Sequence, residues 1–156
     1  MFDVPLDAWY AWLGTAAVAT TVLGTAFGLP TAPPPDATAA ANAVDSVAAH
    51  DPPASVEYRL AADAVMVEST GLTLRSDAGV AHAGFAFGPV VPTPPGSALA
   101  AVATGSEPSA VFADRASFER ALDGERTDPP GWRGAKRLIV RRVAWGGEDA
   151  TLVLVR

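Results

Sequence analysis

The chain has 156 residues, room for one segment of membrane length and one ordinary domain, since single domains commonly hold roughly 50–200 residues. Its formal charge of -6, from 17 acidic and 11 basic residues, removes the net-basic surface that nucleic-acid binding needs to displace counterions from phosphate. With no cysteine, the chain has no disulfide, thiolate nucleophile or Cys-bound metal, and its acidic, Ala-rich, Arg-over-Lys composition suits a protein kept in solution by carboxylate hydration, as in high salt.

After a short tail at 1–7, residues 8–29 carry no charge and are of the length of a transmembrane helix, because about 20 apolar residues cross a hydrocarbon core of ~30 Å. Trp9, Tyr10 and Trp12 cluster at one end as candidate membrane-interface aromatics, and Pro30 and Pro33–Pro35 stop the helix at the other. The rival readings are a buried core helix and a signal peptide cleaved near Ala32 or Ala39; against the latter, Asp3 and Asp7 occupy a region that would be basic. Small residues at Ala16, Thr20, Gly24 and Gly28 recur every fourth position and mark a candidate helix-packing face.

Residues 30–36 read as a Pro-rich linker and 37–156 as a domain. Asp36 is a candidate N-cap for a helix from Ala37 to His50. From Ser55 to Pro89, four apolar-alternating segments separated by Asp63, Ser69-Thr70-Gly71 and Asp77-Ala78-Gly79 predict a four-stranded meander, the last strand reaching Phe87. The segment from Ser97 to Ala103 is open to helix or loop, and Asp114 caps a predicted helix from Arg115 to Asp123 with an Arg115–Glu119 pair at i, i+4. Gly146-Gly147-Glu148-Asp149 joins two apolar segments into a predicted β-hairpin.

Few residues point to chemistry. His50 and His82 lack metal-motif spacing, and a Ser-His-Asp arrangement from Ser69 or Ser76, His82 and Asp77 has no G-x-S-x-G elbow to support it, so His82 reads as an ordinary strand residue. Glu119, Asp123 and Glu125 look like a solvated helix face. Arg133, Lys136, Arg137, Arg141 and Arg142 gather nearly half of the basic residues; they are candidate contacts for an anionic partner, but Arg141 and Arg142 must face opposite ways along a strand, which favours cross-strand pairing.

The opening MFDVPLDAWYAWLG, the GLPTAPPPDA that follows the helix, LTLRSDAGVAHAGFAFGPVVP and the closing RLIVRRVAWGGEDATLVLV together resemble a family of haloarchaeal single-pass membrane proteins. That resemblance implies a halophilic archaeal source and a pilin-like architecture associated with type IV pilus and secretion gene clusters. The chain departs from pilins in lacking a basic residue followed by Gly or Ala before the helix, where a prepilin peptidase would cut. The expected fold class is α+β: one N-terminal transmembrane helix, then a small, mainly antiparallel β domain with one or two short helices. The expected function is a non-enzymatic, membrane-anchored envelope protein, an accessory subunit of a pilus or secretion assembly. Its expected partners are the lipid bilayer and proteins or further copies reached through the helix, with no nucleic acid, cofactor or metal, and its domain lies outside the cytoplasm. The alternative is a membrane-tethered ligand-binding or hydrolase domain.

Overall fold

In the computed structural model, the backbone is described for residues 6–27 and 33–156, and side chains for 9–19 and 33–156. The chain divides into two compact units, residues 1–33 and 34–156.

The first unit contains helix α1, Leu6–Phe27. Among the described residues, no helix is long and apolar enough to cross a membrane, which overturns the expected transmembrane helix at 8–29. At 22 residues α1 has the length of a span, but it falls short in apolarity. More than half of Leu6–Phe27 is Ala, Gly or Thr, which contribute far less to membrane transfer than Leu, Val or Phe, and the helix begins early enough to include Asp7. The pilin-like description, which rests on such a span, falls with it. Residues 28–32, with Gly28 and most of the Pro-rich linker, lie outside the described residues.

The second unit is α+β. Helix α2, Ala37–Ala48, starts where expected: the Asp36 carboxylate accepts from the Ala39 amide at 2.8 Å, while Ala40, Val44 and Val47 form its buried stripe. The strands are β1 (Ala54–Arg59), β2 (Ala64–Glu68), β3 (Gly71–Ser76), β4 (Gly79–Gly84), β5 (Val91–Thr93), β6 (Arg133–Gly134), β7 (Arg137–Trp145) and β8 (Glu148–Val155). Helices α3 (Ala98–Ala103), α4 (Pro108–Val111) and α5 (Arg115–Thr127) lie between β5 and β6.

The expected meander holds only for β2, β3 and β4. Strand β1 leaves them to pair antiparallel with β7, giving one sheet of order β1-β7-β8-β5 and another of order β4-β3-β2-β6. Every pairing is antiparallel except β5 with β8. Strand β4 also stops at Gly84; Phe85 lies half-buried against the core, whereas Phe87 is exposed.

Burial explains the layering. Leu138, Val140, Val153 and Val155 on one face of the first sheet meet α2 and the Val65, Val67, Leu72 and Leu74 side chains of the second. On its other face, Leu152, Leu154 and Val143 pack against Leu99 and Val102 of α3 and Phe118 and Leu122 of α5. Strand β8 is therefore buried on both faces, which is why it reads as a continuous apolar run instead of alternating. The β7–β8 hairpin turns at Gly146-Gly147, where Trp145 faces Glu148 and both glycines have positive φ (64° and 91°), as a two-residue primed turn requires.

Candidate functional site

Arg141 and Arg142 occupy neighbouring positions of β7 and project to opposite faces of the first sheet, and each reaches the C-terminal end of a helix. Arg141, buried, donates to the carbonyls of Val102 (2.7 Å), in the last turn of α3, and Ser106 (2.9 Å), just beyond it, and lies 3.4 Å from Glu107. Arg142 donates to the Ala48 carbonyl at the end of α2 and pairs with Asp149 at 3.1 Å. Neither helix has a basic residue in its own last turn. The two guanidiniums supply from the sheet what helix ends need: donors for the end carbonyls and positive charge at the negative pole.

The other members of the basic run are similarly engaged. Lys136 pairs with Asp63 at 3.0 Å and donates to the Ala62 carbonyl, and Arg137 pairs with Glu57 at 2.7 Å across the β1–β7 ladder. The run is thus distributed over several surfaces and not gathered into one patch. Arg133, at the start of β6, faces a cleft instead.

The residues of the imagined Ser-His-Asp arrangement are not brought together. His82 Nδ1 lies 3.0 Å from the Thr73 hydroxyl on the next strand, while Ser76 Oγ accepts from the Ala78 amide in the turn. His50 makes its contact with the Ser46 carbonyl inside α2. Asp45, on α2, accepts from the Ala86 and Phe87 amides at 3.0 Å and thereby fastens the segment after β4 to the helix. Trp9, Tyr10 and Trp12 are exposed on α1; Ala16 lies on the same helix, and the side chains of Thr20 and Gly24 lie outside the described residues.

Among the described residues, a cleft of about 450 Å³ lies at the margin where the two sheets meet. Its floor is Val65 and Val67 of β2 with Val153 and Val155 of β8; one wall is Pro92, Thr93 and Pro94 around β5, and the other is the connector from Glu125 to Arg133. That size falls in the range of small-ligand and peptide pockets, ~300–1,000 Å³. The connector takes its course because Pro129 and Pro130 cannot continue α5, and Trp132 is held by the Arg75 guanidinium, 4.3 Å from its ring centre.

Charge in the cleft is mainly negative, from Glu68, Glu125 and Asp128. Arg126, which also pairs with Asp123 at 3.0 Å, and Arg133 supply the counter-charge. Burial pushes the Glu125 carboxyl above its ordinary pKa, repulsion from Asp128 adds to this, and Arg133 opposes both. Glu125 is partly exposed at the border of the cleft, while its neighbours Glu119 and Asp123 are paired on the surface with Arg115 and Arg126. The sequence signal that could have located the cleft is Asp128-Pro129-Pro130-Gly131, a helix stop that folds the chain back over Glu125.

Among the described residues, no group of three or more His, Cys, Asp or Glu side chains could hold a metal ion. No curated protein and no solved structure shows significant similarity to the chain. Residues 3–143 match a family of unknown function, a span that takes in α1, both sides of the cleft and most of β7; the chain belongs to that family, DUF7283.

Proposed function

We propose that this chain is a non-enzymatic assembly subunit in which α1 packs against the equivalent helix of further copies while the α+β domain is carried as a separate head. One observation carries the reading. Trp9, Tyr10, Trp12, Leu13 and Val18 are all more than half exposed on a helix that forms its own unit. Covering one such large side chain stabilises an assembly by roughly 1.5–3 kcal/mol, so a few of them suffice to hold two helices together. Ala16, Thr20 and Gly24 sit four residues apart on α1, a spacing that lets two helix backbones approach closely. The reading keeps the expected role in assembly and leaves out the membrane-spanning anchor.

Sedimentation velocity on the full chain and on residues 34–156, in detergent-free buffer over a broad concentration range, tests it. The full chain should associate reversibly and the shorter chain should remain monomeric. A full chain that stays monomeric throughout, with α1 still helical, would sink the proposal.

A further inference from the structure

Each sheet ends in two edge strands, and three of these edges are blunted. Strand β1 carries Glu57 and Arg59, β5 has Pro92 at its centre, and β6 is two residues long. Strand β4 differs: its six residues, Gly79–Gly84, include no charge and no proline, and among the described residues no strand lies beyond it. The Phe85 amide donates to the Thr70 carbonyl, one step past the Gly71–Gly84 pair, which fixes the alternation of the ladder. Gly79, Ala81 and Ala83 therefore exchange hydrogen bonds with β3, and the main-chain groups of Val80, His82 and Gly84 point away from it.

Helix α2 meets β4 through the face that bears Ala81 and Ala83, which pack on the cluster holding Ala37, Ala40 and Val44. Val80, His82 and Gly84 are exposed, and at Gly84 that exposure is of the main chain itself. The His82 ring leans back over β3, with Nδ1 3.0 Å from the Thr73 hydroxyl, and leaves the edge clear. The open stretch ends at Gly84, because Asp45 accepts from the Ala86 and Phe87 amides.

We propose that β4 pairs antiparallel with β4 of a second copy, about a two-fold axis at His82, when copies are brought together through α1. The inference rests on the α1 assembly and adds a second contact to it. The occupant follows from the strand itself. Gly-Val-Ala-His-Ala-Gly reads nearly the same in both directions, so the two-fold sets His82 beside His82, Ala81 beside Ala83 and the bulk of Val80 beside the bare Gly84. In this register Val80, His82 and Gly84 all meet outward-facing residues of the other copy. Charge agrees: on a chain of net charge -6, this edge is a line along which two copies oppose no like charges. The contact is closed, since pairing uses the edge of both copies. One short strand from each side is too little to join two heads alone, so residues 34–156 stay monomeric. Association through α1 supplies the missing local concentration.

The chain has no cysteine, so His82→Cys and, as a control on the charged edge of β1, Glu57→Cys each introduce a single thiol. Residues opposite one another in a hydrogen-bonded antiparallel pair lie ~5.5 Å apart, within reach of a short bifunctional thiol reagent. In the associated full chain, His82→Cys should form covalent dimers at least about tenfold faster than Glu57→Cys, and than His82→Cys in residues 34–156. With the unaltered sequence, amide exchange at His82 and Gly84 should be slower in the full chain than in residues 34–156. Val80→Lys, which places a charge on the edge, should remove that protection while sedimentation still shows association. A full chain that does not associate defeats the α1 reading and this proposal with it. A full chain that associates, yet cross-links equally at the two positions or leaves His82 and Gly84 unprotected, overturns the β4 pairing alone.

Discussion

Every leucine of residues 34–156 is buried, whereas Leu13 of α1 is 57% exposed, along with both tryptophans and the tyrosine of that helix. The domain satisfies itself: its two apolar clusters draw only on residues between Ala37 and Leu154 or Val155, and no buried side-chain polar atom among the described residues lacks a partner. The helix has regular hydrogen bonding along its axis, but among its described side chains the large apolar and aromatic ones at Trp9, Tyr10, Trp12, Leu13 and Val18 have no comparable cover. Apolar composition alone did not separate these cases; what separates them is whether a second layer exists to receive the side chains.

The comparison is broken most severely by removing residues 151–156. This takes most of β8 from between β7 and β5, where it is buried on both faces, and the domain should lose cooperative unfolding by circular dichroism. A weaker and more discriminating test uses one substitution in each unit. Leu138→Ala should cost about 2–5 kcal/mol in chemical denaturation, while Leu13→Ala should change domain stability by less than about 0.5 kcal/mol. Similar losses at the two positions would erase the distinction.

The arginines of β7 extend the comparison from apolar to charged groups. Arg141→Met should cost about 1–3 kcal/mol, because the Ser106 carbonyl loses its guanidinium donor and the Val102 carbonyl is left with the Gly105 amide alone. Arg137→Met, which removes an exposed pair with Glu57, should cost under about 1 kcal/mol.

Much of this domain is legible from local pattern. Asp36 and Asp114 each precede a helix they cap, and Gly146-Gly147 sets the register of the β7–β8 hairpin. Period two placed Arg141 and Arg142 on opposite faces, but their partners at the ends of α3 and α2 are far away in the chain, and no spacing rule reaches them. The same non-locality hid the partner of β1, whose Val56 pairs with Val140, and the place of Glu125 at the cleft, which depends on a connector that follows it. In α1 the failure was of another kind: residue type was scored as apolar where Ala, Gly and Thr supply length without much hydrophobicity.

The two acid groups with opposite shifts give the smallest expected effects. Hydrogen bonds from the Ser117 amide and hydroxyl hold the Asp114 carboxyl below its ordinary value of 3.8. Its contribution to stability is therefore fully present above pH 3.8 and is lost as the pH falls through the lower folded value, so Asp114→Ala should lower Tm at neutral pH and flatten the acid limb of the Tm profile. Glu125 is the reverse case. Its folded pKa lies above 4.5, so the folded state is penalised once pH rises past the folded value, and Glu125→Gln should raise Tm slightly at pH 7 but not below pH 4.5.

The assembly role of α1 is tested most directly by cross-linking along the helix, on a chain that has no cysteine of its own. Single cysteines introduced in turn from Trp9 to Ala19 should form intermolecular disulfides with a period near 3.6 residues, tracing one packed face. Cross-linking that is absent, or equally efficient at every position, would contradict the account.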